Sequence, residues 1–159
     1  MASRLSYVLD TSVFAHLHRP EVGRALAGFD GAMLVTELTL LEFGVSAASA
    51  ADWRTRADII GSLCEPVPTL DADFDRAYEV QQTLAANGLK GRKPPDLLIA
   101  AVAERLQATV VHYDNDYALI SDVTGQPQRW IVPKGSLAPP TLSPRSVSDP
   151  ARSCSPGSR

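Results

Sequence analysis

The sequence predicts an α/β protein with a mostly parallel central sheet and helices on both of its faces. Three observations lead there. Short apolar runs of strand length alternate with helical stretches along the body, the rhythm of strands joined by crossover helices. The breaks between them carry turn and cap signals: Pro20, Asp30-Gly31, Asn87-Gly88 and Pro94-Pro95. A length of 159 residues with 45% apolar side chains suits one domain around one continuous core.

The elements follow in order. Residues 6–10 (S-Y-V-L-D) read as a short buried strand that ends on an acid. Residues 13–19 are helical, and Pro20, at home in a first turn, starts a second helix running through Ala27. Residues 32–35 (A-M-L-V) form the second strand. Thr36 or Thr39 caps the next helix, which carries Leu38, Leu41, Glu42 and Val45. Asp52 caps a further helix with Trp53, Ile59, Ile60 and Leu63 available for burial. Residues 65–68 are a weak strand whose prolines place it near an edge. Asp71 opens a long helix with Phe74, Ala77, Tyr78, Gln81 and Leu84 at helical spacing, closed by Asn87-Gly88. A basic loop, Lys90-Gly91-Arg92-Lys93, leads through Pro94-Pro95 into a helix over residues 96–106. Residues 109–112 (T-V-V-H) are a strand, Asp114 begins a short helix, and residues 128–132 (Q-R-W-I-V) make the last strand.

Residues 136–159 are different in kind. Seven Ser and five Pro fill half of these 24 positions. Such a segment has no means of building a core, so it is expected to be a disordered tail after a folded body of residues 1–135. No apolar run approaches the ~20 residues of a membrane span, and residues 1–7 lack the apolar core of a signal peptide. A cytoplasmic protein without membrane contact is the expectation. Cys64 and Cys154 make no disulfide framework, and with His16, His18 and His112 they make no Cys/His metal set. Net charge is −3, and the tail's three Arg against one Asp leave the body at about −5. A nucleic-acid binder usually shows a basic face. An acidic body fits that role only where carboxylates hold cations that meet the phosphates.

The informative residues are Asp10, Glu42, Asp96, Asp114 and Asp116. Each has a plain structural explanation: Asp10 and Asp114 as helix N-caps, Glu42 three residues after Thr39 at capping-box spacing, Asp96 in a first turn where the helix dipole favours an anion. Their joint placement argues for more. Asp10 ends the first strand and Asp114 follows another by two residues, which puts both at the carboxyl ends of parallel strands, where sites gather. Clustered carboxylates repel unless a cation or protons compensate, and oxygen ligands of this kind suit Mg²⁺ or Mn²⁺.

Four segments, V-L-D-T-S (8–12), L-T-L-L-E (38–42), P-D-L-L-I-A-A (95–101) and V-V-H-Y-D-N-D-Y (110–117), resemble the successive motifs of PIN domains. More narrowly they resemble the VapC toxins of VapBC toxin–antitoxin systems. The resemblance spans about residues 6–135. It implies a three-layer α/β/α sandwich, Mg²⁺-dependent endoribonuclease activity (with Mn²⁺ able to substitute), frequent homodimerisation and inhibition by a VapB-type antitoxin. By position it makes Asp10, Asp96 and Asp114 metal ligands, Glu42 the second acid of the quartet, and Asp116 a further acid of the last motif. Thr11 or Ser12 matches a hydroxyl that orients the first carboxylate. His112 stands where many relatives carry Thr or Ser, and the tail extends past the usual family end.

Other signals are assigned as follows. Ser12, Lys90, Arg92 and Lys93 are candidate substrate-binding residues, the three basic ones as phosphate contacts just before Asp96. Leu40, Phe43, Trp53, Ile59 and Leu63 are candidates for a groove that takes an antitoxin helix or extended peptide, against the commoner reading of such a stripe as core. His112 is expected to be buried near a strand end and not to act as a base. A haloacid-dehalogenase-type phosphatase would need a second Asp two residues after Asp10, and position 12 is Ser. The alternatives that stay open are a PIN-like module that binds nucleic acid or protein without turnover, and a PIN nuclease of RNA processing outside a toxin–antitoxin pair.

Overall fold

The computed structural model describes residues 5–90 and 92–137. The tail expected over residues 136–159 lies outside the described residues except for Ser136 and Leu137, as does Gly91 of the basic loop. The elements are β1 (Ser6–Leu9), α1 (Thr11–Ala15), α2 (Pro20–Ala27), β2 (Ala32–Thr36), α3 (Glu37–Val45), α4 (Ala50–Leu63), β3 (Glu65–Val67), α5 (Asp71–Ala86), α6 (Pro94–Arg105), β4 (Thr109–His112), α7 (Asp116–Thr124) and β5 (Gln128–Trp130). The five strands form one sheet in the order β3-β2-β1-β4-β5, and every pairing is parallel. The chain winds outward from β1 to β3, returns, and winds the other way through β4 and β5. The reversal lies between β1 and β4, the place where open α/β sheets offer a crevice at the strand carboxyl ends.

Successive strand side chains point to opposite faces, and here both faces are covered. Val8, Leu34 and Val110 join α5, α6 and α7 in one apolar cluster with Val80, Leu84, Leu97, Ile99 and Ile120. Their neighbours Leu9, Val35 and Val111 face the other way, toward Val13, Phe14, Val22, Leu26 and Ile60. The result is a three-layer α/β/α sandwich. Cys64, at the end of α4, is buried in the second cluster, and that burial pushes its thiol up to about 12. Gly31 is required where β2 starts: a Cβ there would sit 2.2 Å from the Leu5 carbonyl oxygen, the same oxygen that accepts the Ala32 N–H. Among the described residues no helix is long and apolar enough to cross a membrane.

Several local expectations shift. The first helix starts at Thr11, not residue 13, because Asp10 caps it through the Ser12 N–H. Thr36, not Thr39, caps α3, so Glu42 lies outside capping-box reach. Ser49 caps α4, while Asp52 sits inside the helix and accepts from the Ala48 N–H. On α5 the buried face is Ala77, Val80 and Leu84, and Phe74 and Tyr78 are exposed. The short helix begins at Asp116, and the last strand ends at Trp130. Residues 65–67 take the edge position expected of them. Leu137 is buried, and its N–H, like that of Gly135, donates to the Tyr113 hydroxyl.

Candidate metal centre

The acids meet where the sheet order reverses. Asp10 follows β1 directly, and its N–H extends the ladder by donating to the Val111 carbonyl of β4. Its carboxylate is buried and held from both sides. Oδ2 accepts from the Ser12 N–H at 2.9 Å and from the Ser12 hydroxyl, and Oδ1 accepts from the Tyr117 hydroxyl at 2.8 Å. Ser12 Oγ in turn accepts from the Tyr113 N–H at 2.8 Å. The β1–α1 and β4–α7 loops are thus joined through the Asp10 carboxylate and its partners. Tyr117 is fully buried, and that burial, with the Asp10 and Asp96 charges, raises its phenol well above the usual range. The phenol remains a donor.

Asp96 enters from α6. Pro94 and Pro95 occupy the first two helical positions, where no intrahelical N–H bond is lost, and so aim the next residue into the crevice. Asp96 is 6% exposed, and its Oδ2 is buried without a hydrogen-bond partner. A carboxylate so placed is held ionised only at a penalty. Burial first, then the charge of Asp10, pushes Asp96 up to about 8, with Asp114 and Asp116 adding to the rise and Lys93 opposing it.

Asp114 and Asp116 come from the loop after β4. One oxygen each from Asp96, Asp114 and Asp116 lies within 4.8 Å of the others. Asp114 Oδ1 accepts from the Asp116 N–H and Oδ2 from Lys93 Nζ, each at 3.0 Å. Burial acts to raise the Asp114 carboxyl, but the Asp116 N–H and the Lys93 ammonium outweigh it and hold the group below its usual range. Asp116 Oδ1 accepts from Arg92 Nη1 at 3.0 Å. The acids crowd together and the basic loop folds over them. Oxygen donors without a nitrogen or sulfur ligand, one of them buried and unpartnered, are the donor set of a hard divalent cation.

Of the expected site residues, Asp10, Asp96, Asp114 and Asp116 are gathered here. Glu42 is half-buried on α3 and accepts from Thr11 Oγ1 at 2.6 Å, so Thr11 links it to the Asp10 loop. Ser12 spends its hydroxyl proton on Asp10. Arg92 and Lys93 reach the acids, whereas Lys90 is exposed and lends its carbonyl to the Arg92 guanidinium. Tyr117, His112 and Gln128 were not singled out as functional by sequence. The Asp-Tyr pair at 116–117 was the available signal for the first, because a phenol one residue after a cluster acid can reach another acid.

On the opposite layer Leu40, Phe43, Trp53, Ile60 and Pro66 line an apolar cavity of about 270 Å³. An adjoining opening of about 450 Å³ is lined by Phe14, Leu17, His18 and Ile59. Four of the five expected groove residues line these openings, and Leu63 packs against the second core cluster. Arg56 stands over the Phe43 ring at 4.9 Å.

The PIN domain family model matches residues 7–123. Ribonuclease VapC51 of Mycobacterium tuberculosis is 44% identical over 135 residues, covering 84% of this chain and 98% of that protein. Ribonuclease VapC21 of the same species is 40% identical over 133 residues, covering 82% and 96%. Among solved structures, VapBC-5 from M. tuberculosis, a member of the VapBC family of toxin–antitoxin systems, superposes with a TM-score of 0.58 at 27% identity, covering 79% of this chain and 96% of that one.

Proposed function

The chain belongs to the PIN-domain family, and on that premise we propose that it is a metal-dependent endoribonuclease, the toxin of a VapBC-type pair. One observation carries the metal-dependent reading: the buried Asp96 oxygen without a partner, in a cluster of oxygen donors. Asp96, Asp114 and Asp116 would hold Mg²⁺, or Mn²⁺ in its place, with Asp10 contributing its remaining lone pairs. A divalent cation bound there lowers the pKa of a coordinating water and offsets phosphate charge.

The chain's own residues supply the rest. Ser12 and Tyr117 fix the Asp10 carboxylate in one orientation, so it loses no freedom when the site fills. Glu42, tied to the Asp10 loop through Thr11, would accept a proton from the attacking water. Lys93 and Arg92, paired with Asp114 and Asp116, would exchange those partners for substrate phosphates. Water adds to phosphorus as the 3′ oxygen leaves and takes up a proton, giving a 5′-phosphate and a 3′-hydroxyl. His112 does not act as the base: it is fully buried and burial lowers its pKa.

The apolar openings lined by Leu40, Phe43, Trp53 and Ile59 are the surface for a VapB-type antitoxin. That reading draws on the similarity to VapBC-5, a member of a toxin–antitoxin family, and on the exposure of Trp53 and Leu41. The exposed Phe74 and Tyr78 on α5 offer a separate apolar face for a second copy of the chain.

The test is cleavage of a mixed RNA pool by purified protein with Mg²⁺ or with EDTA, beside Asp96→Asn. Metal-dependent fragments with 5′-phosphate ends, absent from the variant, are expected. Fragments that survive EDTA, or that carry 2′,3′-cyclic phosphate ends, would refute the mechanism.

A further inference from the structure

We infer that His112 is a positioning residue for the acid cluster: by accepting the Asp114 N–H on its ring it sets the turn that presents Asp114 and Asp116 to Asp96. The inference rests on the proposal that these acids hold a divalent cation.

The ring is fully buried at the carboxyl end of β4. The Asp114 N–H lies 3.1 Å from His112 Nδ1. An amide can only donate, so Nδ1 must present a lone pair. A neutral ring then carries its proton on Nε2, which lies 2.6 Å from Gln128 Oε1. The Asp114 N–H therefore fixes the tautomer, and Gln128 Oε1 accepts the proton that this leaves on Nε2. Packing removes the remaining freedom, because the imidazole centroid is 4.8 Å from that of Tyr117 and 4.9 Å from that of Trp130.

The pattern then repeats two residues on. Asp114 Oδ1 accepts from the Asp116 N–H at 3.0 Å, so a side chain at each of positions 112 and 114 captures the amide two residues ahead. Fixing the first amide fixes where Asp114 begins, and its carboxylate then fixes the start of α7 at Asp116. A hydroxyl at position 112 would offer the same short-range acceptor. The imidazole does that and also reaches across to β5. Gln128 and Trp130 lie beyond residue 123, where the family match ends, so the edge strand is drawn into supporting the site.

The experiment is calorimetric titration of Mn²⁺ into the full chain as wild type, His112→Asn and His112→Phe, with thermal melts of each. The Asn carbonyl oxygen sits where Nδ1 sits and keeps the acceptor, but it leaves Gln128 unpartnered. Phe keeps the ring and loses both bonds. Both variants are expected to melt below wild type, while Mn²⁺ affinity falls about 10- to 100-fold in the Phe variant alone. Equal losses of affinity in both variants, or none in Phe, would overturn the inference. Should the Phe variant not fold, ¹⁵N spectra of the wild-type imidazole decide: a proton on Nε2 with Nδ1 bare is expected, and a proton on Nδ1 overturns it. A wild-type chain that binds no Mn²⁺ removes the metal reading and this inference together. A wild type that binds, with an unaffected Phe variant, removes this inference alone.

Discussion

Replacing Asp96 by Asn is expected to stabilise the metal-free protein at neutral pH while abolishing its affinity for divalent cations. The Asp96 carboxyl is pushed up to about 8, first by burial and then by its acidic neighbours, whereas in the unfolded chain it titrates near ~3.9. Between those values the unfolded state binds fewer protons than the folded one, so stability falls as pH rises through the window and levels off above 8. At pH 7 roughly three pH units of this penalty have accumulated, about 4 kcal/mol, and at pH 5 about 1.5 kcal/mol. The Asn amide brings its own demand for buried partners, worth about 1–3 kcal/mol, so the net gain at pH 7 is about 1–3 kcal/mol. That amide does not titrate. The gap between variant and wild type should therefore widen by about 2.5–3 kcal/mol from pH 5 to pH 7, however well the amide packs. Urea melts at both pH values in EDTA measure it, and adding Mg²⁺ should raise the wild type alone. Parallel pH dependences for the two proteins would refute the argument that burial among acids holds the Asp96 carboxyl protonated in the metal-free protein.

Three further outcomes are expected. Arg105 pairs with Asp73, 2% exposed, through two nitrogens at 2.8 and 2.9 Å; Arg105→Met should lower stability by about 3 kcal/mol in denaturant melts. Burial raises the Asp73 carboxyl, but Arg105 and the Leu70 N–H outweigh it and leave it depressed, so in wild type this contribution is present above pH ~4 and lost as pH falls below it. A variant whose melts match wild type at pH 7 would show the pair to be dispensable. Gly31→Ala should destabilise by about 1–3 kcal/mol because backbone, not a flexible side chain, blocks the methyl, and its Mn²⁺ affinity should be unchanged by calorimetry. Trp53→Ala, at a position 54% exposed, should leave stability within about 0.5 kcal/mol yet weaken antitoxin binding by roughly 30-fold in a surface-binding assay. Unchanged binding would move the antitoxin elsewhere.

The sheet and the gathering of Asp10, Asp96 and Asp114 were legible because both follow from chain order. Strand, helix and acid recur in sequence, and parallel pairing puts the acids at one end. Side-chain partnerships across loops were not. Lys90, Arg92 and Lys93 look alike in sequence, yet only Arg92 and Lys93 reach acids. Thr39 and Glu42 have capping-box spacing, but helix register gives the cap to Thr36 and leaves Glu42 to Thr11, 31 residues away. Phe74 and Tyr78 share helical spacing with Ala77 and Leu84, yet the small Ala77 and Val80 take the interface because α5 packs closely on α6. His112 was legible as a buried residue near a strand end, and its bond to Gln128 was not, because it exists only once β4 and β5 are paired.

The bonds that build the centre join residues far apart in the chain. Ser12 meets Tyr113 across 101 positions, and Tyr117 meets Asp10 across 107. A chain still growing on the ribosome has no acid cluster until Asp114 and Asp116 exist, and no supported one until Gln128 does. The apolar cavity opposite is lined by nothing later than Pro66. At ~5–20 residues per second, the remaining sixty or so residues take about 3–12 s to add. If the antitoxin docks at this cavity as proposed, the residues of its docking surface are synthesised before the acid cluster is complete.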